Sequence, residues 1–215
     1  MLNQFDNFIF DLDGTILNSS QEILKCLKSA FNKVKYQINE NNLSPAVIGP
    51  PLKDIIKLIA PNLDDENKIS EIIKNFREVY DDDLSDVSTL YSGIYEFLIK
   101  SKKQNKKLFI ATLKPYKPTL RLIKQFKLDF FEDIYSIDKF ERNLSKKEMI
   151  IEIIKKYNLN KEKTIMFGDT LKDITAAKEC EIRSIGVTWG YETDKLNFAK
   201  QADYIINNIN EIQGI

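Results

Sequence analysis

The 215-residue chain contains no histidine. That absence removes Ser-His-Asp triads, phosphohistidine chemistry and His-ligated zinc together, so any reaction must run on carboxylates, lysines, hydroxyls and backbone amides. Cysteine is nearly missing too: Cys26 and Cys180 lie far apart and spell neither a metal site nor a disulfide framework, which suits reduced, inert thiols in a cytoplasmic protein. Neither sign of charge dominates, with 32 Lys+Arg against 32 Asp+Glu, so nothing in the balance attracts nucleic acid or a membrane surface. No apolar run approaches transmembrane length, and the start, Met-Leu-Asn-Gln-Phe-Asp, has neither the basic residues nor the apolar stretch of a signal peptide. The seven glycines form no GxxxxGK[ST] and no GxGxxG, which leaves P-loop and dinucleotide readings without their fingerprint.

What the chain does have is enough apolar content, 43%, to bury a sizeable core. It is organised around Phe8–Leu17, where the run Phe8-Ile9-Phe10 gives way to Asp11-Leu12-Asp13-Gly14. A short continuous apolar run of this kind suits a strand buried on both faces in a parallel sheet. Alternation along the strand would put Asp11 and Asp13 on one side and Leu12 on the other. The carboxyl ends of such strands are where open α/β sheets bind ligands, and two carboxylates there can share work as nucleophile and proton carrier. An acidic turn after a strand explains the same residues, and this stretch alone leaves both readings open.

From residue 17 to residue 84 the apolar spacing is helical, in three segments around Ile23–Val34, Leu52–Ile59 and Ile69–Tyr80, without a convincing strand. This reads as a helical insertion. The triplet Asp81-Asp82-Asp83 at its end reads as solvated linker in preference to a metal site. From Gly93 the rhythm alternates. Strands are expected at 107–112, around 134–136, and at 164–168, 183–187 and 204–206, with helices at 94–103, 118–127, 146–157 and 174–179. Alternation of this kind means βαβ units and a parallel sheet. The expected architecture is therefore α/β, a Rossmann-like parallel-sheet core of residues 1–16 and 85–215 carrying a helical insertion at 17–84.

Three further stretches place reactive groups at strand or helix ends: Thr112, followed by Leu113-Lys114-Pro115; Ser145-Lys146-Lys147; and Gly168-Asp169, with Asp173 one turn on. Each has a plain alternative. Thr112 is an acceptable turn residue, Asp169 a helix cap, Lys146 a surface lysine and Asp173 a first-turn acid favoured by the helix dipole.

In their order, Asp11-Leu12-Asp13-Gly14-Thr15, Thr112, Lys146 and Gly168-Asp169-Thr170-Leu171-Lys172-Asp173 resemble the four motifs of the haloacid dehalogenase superfamily, most of whose members are phosphatases. The resemblance spans nearly the whole chain, and residues 17–84 fall where one branch of that family inserts a helical cap. Within the branch the chain is most similar to the phosphoglycolate phosphatase-like and 5′-nucleotidase-like group, through Ile48-Gly49-Pro50-Pro51-Leu52, Ala111-Thr112-Leu113-Lys114-Pro115 and Gly186-Val187-Thr188-Trp189-Gly190-Tyr191. The resemblance implies that Asp11 is a nucleophile and Asp13 a proton carrier, and that Thr112 and Lys146 hold phosphate. It also implies a Mg²⁺ site made by Asp11, the backbone carbonyl of Asp13 and Asp169, with Asp173 as a supporting ligand or just behind the ligands. Gly49, Pro50 and Lys114 are candidate substrate contacts. Leu113 and Asn18 depart from residues common in the family, and Lys147 competes with Lys146 for the third motif. The expected activity is hydrolysis of a small phosphate ester. A phosphosugar mutase and a non-catalytic phosphate-binding regulator are the alternatives, and a dehalogenase would leave Asp13 without a task.

Overall fold

A computed structural model describes residues 2–80, 87–140 and 142–214. In chain order the elements are β1 (Asn7–Phe10), β2 (Leu17–Asn18), α1 (Ser20–Lys33), α2 (Leu52–Ile59), α3 (Glu66–Tyr80), β3 (Thr89–Leu90), α4 (Ile94–Lys103), β4 (Lys107–Thr112), α5 (Tyr116–Gln125) and β5 (Asp133–Ser136). They continue with α6 (Lys146–Tyr157), β6 (Thr164–Gly168), α7 (Leu171–Glu179), β7 (Arg183–Val187), α8 (Lys195–Gln201) and β8 (Tyr204–Ile206). Six strands form one parallel sheet in the order β5-β4-β1-β6-β7-β8. After β1 the chain builds outward through β4 and β5, then returns to β1's other side with β6, β7 and β8. β1 therefore lies where the sheet reverses direction, and its carboxyl end opens into the crevice where such sheets bind ligands.

The all-apolar centre follows from burial on both faces. Phe8, Phe10, Ile110 and Phe167 pack on one side with α4 and α5 residues such as Phe97 and Leu122. Ile9, Phe109 and Met166 pack on the other with Met149, Ile150 and Ile153 of α6 and Ala176 and Ala177 of α7. The Phe10 and Phe167 rings stack at 4.5 Å, tying the two strands that carry the acids.

The chain divides into two compact units, residues 1–18 with 90–215, and residues 19–89. The second unit is helical. Leu27, Phe31, Ile56, Ile69, Ile72 and Phe76 are buried there, and the Phe76 and Tyr80 rings stack at 4.9 Å. Within it Ser88 donates a hydrogen bond to the buried carboxylate of Glu22. Asp81, Asp82 and Asp83, and the expected boundary at 84, lie outside the described residues. Among the described residues no helix is long and apolar enough to cross a membrane.

Two expectations are corrected, and one helix had no expectation. β1 ends at Phe10, so Asp11 and Asp13 belong to the turn after the strand. Asp11 still donates its N–H to the Phe167 carbonyl at 2.9 Å, but the Leu12 carbonyl then accepts from the N–H groups of Thr15, Ile16 and Leu17, which folds the chain back. Leu17–Asn18 is a short strand and not part of a helix. α8, seven residues with Phe198 as its one buried side chain and Leu196 exposed, has too few apolar positions to show a period.

Candidate active site

The site is assembled from the ends of three adjacent strands and the first turns of two helices in the first unit. Asp11 follows β1, Thr112 ends β4 and Asp169 follows β6. Lys146 is the first residue of α6, which starts there because Ser145 and Glu148 cap each other: the Glu148 N–H donates to Ser145 Oγ at 3.2 Å and the Ser145 N–H to Glu148 Oε2 at 2.8 Å. Asp173 stands in the first turn of α7, where Thr170 donates both its N–H (3.1 Å) and its hydroxyl (2.8 Å) to Asp173 Oδ2.

Lys146 Nζ donates to Asp11 Oδ1 and to the Ala111 carbonyl, both at 2.7 Å, and lies 3.0 Å from Asp173 Oδ1. A cation at a helix N-terminus opposes the helix dipole; two buried carboxylates reverse the balance. Burial alone would lower the ammonium's pKa, yet Asp11 and Asp173 hold it above the usual lysine range. Lys147, the rival in sequence, points elsewhere and pairs with Glu179 at 3.2 Å among exposed side chains.

One carboxylate oxygen from each of Asp11, Asp169 and Asp173 lies within 4.8 Å of the other two. Three acids so close and so buried repel. Burial pushes the Asp11 carboxyl up to about 6, with Lys146 pulling it down and Asp173 and Asp13 adding to the rise. Burial, then the charges of Asp11 and Asp173, raise Asp169 well above the carboxylate range. Asp173 Oδ1 receives no aligned hydrogen bond among the described residues, although Lys146 is near. An all-oxygen donor set with an under-satisfied buried oxygen fits a hard divalent cation such as Mg²⁺.

The side chain of Asp13 is not among the clustered oxygens. It is held by Lys114, whose Nζ lies 3.1 Å from Oδ1 and 3.0 Å from Oδ2. Lys114 is itself buried, and its backbone N–H donates to Thr112 Oγ1 at 3.2 Å, so one residue braces both Thr112 and Asp13. The pairing with Asp13 had no sequence signal, since a lysine 101 positions away gives no periodic clue. Thr15, a motif residue without an expected task, donates its hydroxyl to Asp169 Oδ1 at 3.2 Å. Gly49 and Pro50 belong to the second unit, half-buried before α2, with Gly49 at φ +121°.

Residues 8–187 match the family model described as haloacid dehalogenase-like hydrolase. The chain belongs to that family. Over its full length this hydrolase is 27% identical to pyrophosphatase PpaX of Listeria monocytogenes, across 218 aligned residues and 98% of that protein. A Clostridium difficile protein assigned as a phosphatase superimposes with a TM-score of 0.83 at 30% identity, covering 98% of this chain and 97% of that one. A haloacid dehalogenase-like family hydrolase from Streptococcus pneumoniae gives 0.85 at 25% identity, over 99% and 98% of the two chains. The enzyme is a haloacid dehalogenase-like hydrolase of the phosphatase type.

Proposed function

We propose that this enzyme is a Mg²⁺-dependent phosphatase that hydrolyses a small phosphate ester or anhydride through an aspartyl-phosphate on Asp11. The observation that carries the reading is the Asp11 carboxylate, fixed by Lys146 through Oδ1 beside a buried oxygen cluster. Oδ2 is then the oxygen left to attack phosphorus. Its bond to phosphorus forms as the bond to the leaving oxygen breaks, and Asp13 gives that oxygen a proton. In the second step Asp13 takes a proton from water, whose oxygen displaces Asp11 and releases inorganic phosphate. Thr112 Oγ1 already accepts from the Lys114 N–H, so its own proton is directed elsewhere and suits a phosphate oxygen. Mg²⁺, held by Asp11, Asp169, Asp173 and the Asp13 carbonyl, would offset the repulsion between carboxylate and phosphate.

The ammonium of Lys114 beside Asp13 adds positive charge on the leaving-group side. It favours leaving groups that are themselves anionic, such as the second phosphate of pyrophosphate or the carboxylate of phosphoglycolate, over neutral sugars. The residue 19–89 unit would act as the substrate-selecting cap, with Gly49 and Pro50 in its contact loop. The same proposal puts the enzyme in the cytoplasm, where the free thiols of Cys26 and Cys180 would stay reduced.

Phosphate release from pyrophosphate, phosphoglycolate, sugar phosphates, nucleoside monophosphates and p-nitrophenyl phosphate tests the reading. Turnover should require Mg²⁺, vanish with chelator, and be lost in a folded Asp11→Asn enzyme. Activity retained by that variant, with back-deamidation excluded, would overturn the nucleophile assignment.

A further inference from the structure

The segment Thr188-Trp189-Gly190-Tyr191 plays no part in the scheme above, yet it is built against the acid cluster. The Tyr191 backbone N–H donates to Asp169 Oδ2 at 2.7 Å. On the other oxygen the Thr15 hydroxyl donates to Oδ1 at 3.2 Å, and the Trp189 indole N–H donates to the Thr15 carbonyl at 3.1 Å. Gly190 leaves no room for a side chain: a Cβ there would sit 2.2 Å from Asp169 Cβ and 2.3 Å from Oδ2. Gly14 is equally tight from below, its Cβ position falling 2.1 Å from Asp169 Oδ2 at φ +86°. Behind the segment the Tyr91 hydroxyl bonds that of Tyr191, and the Tyr91 and Trp189 rings lie 6.0 Å apart.

These contacts form one closed arrangement. Asp169, fully buried, has each carboxylate oxygen accepting one protein hydrogen bond from a different loop, which blocks rotation. Each oxygen keeps a further acceptor direction, and one of the two lies within 4.8 Å of an oxygen of Asp11 and of Asp173. Donors behind a ligand commonly set its orientation, and their loss typically costs about 10–100-fold in metal affinity.

We propose that Trp189-Gly190-Tyr191 is a positioning strap that aims Asp169 at the cation, and that Trp189, the chain's single tryptophan, reports occupancy of the site. The Trp189 indole is joined to Asp169 through Thr15, and its backbone through Gly190 and Tyr191. The inference rests on the reading of Asp169 as a cation ligand, and its test separates the two.

Mg²⁺ is titrated into the substrate-free full-length protein, followed by tryptophan emission, calorimetry and thermal melting. Wild type should show one saturable emission change that tracks the calorimetric isotherm. Gly190→Ala should bind Mg²⁺ about 10–100-fold more weakly. If that variant does not fold, Thr15→Val decides the matter: it keeps the side-chain shape, removes only the hydroxyl donor, and should bind the cation roughly tenfold more weakly. A general packing role would instead lower the metal-free melting temperature and leave affinity alone. Unchanged affinity in folded Gly190→Ala or Thr15→Val overturns the strap, as does emission blind to calorimetrically proven Mg²⁺ binding. Absence of any Mg²⁺ binding by the wild type overturns the cation reading itself.

Discussion

At the scale of single residues the lack of histidine has a thermodynamic consequence. Near-neutral stability changes in most proteins mix many titrations; here few groups besides the buried acids titrate between pH 5.5 and 7.5. Burial raises Asp11 to about 6 and Asp169 well above the carboxylate range, against an unfolded value near 3.9. The folded state therefore binds more protons than the unfolded one in this window, and the metal-free protein loses stability as pH rises through it. The lowered carboxyls, such as Glu148 at about 2, act in the opposite sense but at lower pH, outside the window. In chelator the protein should melt higher at pH 5.5 than at 7.5, by ~2–4 °C for each ~1 kcal/mol. Asp11→Asn should flatten this dependence. Mg²⁺ should reverse it, because binding needs ionised ligands and so stabilises more as pH rises. A melting temperature that climbs with pH in chelator would contradict the raised carboxyls.

At the scale of elements, legibility follows the distance over which the physics acts. β4, α4, α6, β6, β7 and β8 have the bounds expected of them, because each is defined by a local apolar pattern between local breakers. α7 begins at Leu171, ahead of the expected start, since its onset is set by the Thr170–Asp173 cap and not by apolar spacing. The motif residues Asp11, Lys146, Asp169 and Asp173 were legible as candidates, and their convergence follows from the strand order. Lys114 on Asp13, Thr15 and Tyr191 on Asp169, and Trp189 on Thr15 were not, since each joins residues remote in sequence with no repeating pattern. The cap of α6 gives a prediction at this scale. Ser145→Ala removes the Oγ acceptor and should cost about 1 kcal/mol of stability. Turnover should stay near wild type, because Lys146 keeps Asp11, Asp173 and the Ala111 carbonyl as its own three partners. A matching fall in turnover would mean that the cap, and not the carboxylates, sets the lysine's place.

At the scale of the whole molecule, the division of labour lies between a unit that carries every candidate acid, base and phosphate contact and a helical unit that carries none of them. Chemistry and selectivity can then vary independently, provided the helical unit supplies contacts to the part of the substrate remote from phosphate and excludes water during turnover. The loop Ile48–Leu52 is the place to test this. Gly49 is a poor probe, because at φ +121° any side chain strains the backbone and blurs loss of contact with loss of fold. Pro50 is better: it is half-buried and precedes α2, so Pro50→Gln changes size and polarity with a stability cost of about 0.4–1 kcal/mol from the freed backbone. A contacting loop predicts a reordered preference among pyrophosphate, phosphoglycolate and sugar phosphates, with little change toward the compact p-nitrophenyl phosphate. A loop that only separates the turns before α2 predicts equal effects on all four. Melting curves run beside the kinetics keep the two apart, since a uniform loss with a lowered melting temperature reports folding. An unchanged order of preference in a well-folded Pro50→Gln enzyme would remove this loop from the substrate's path and move the search for selectivity to Lys114.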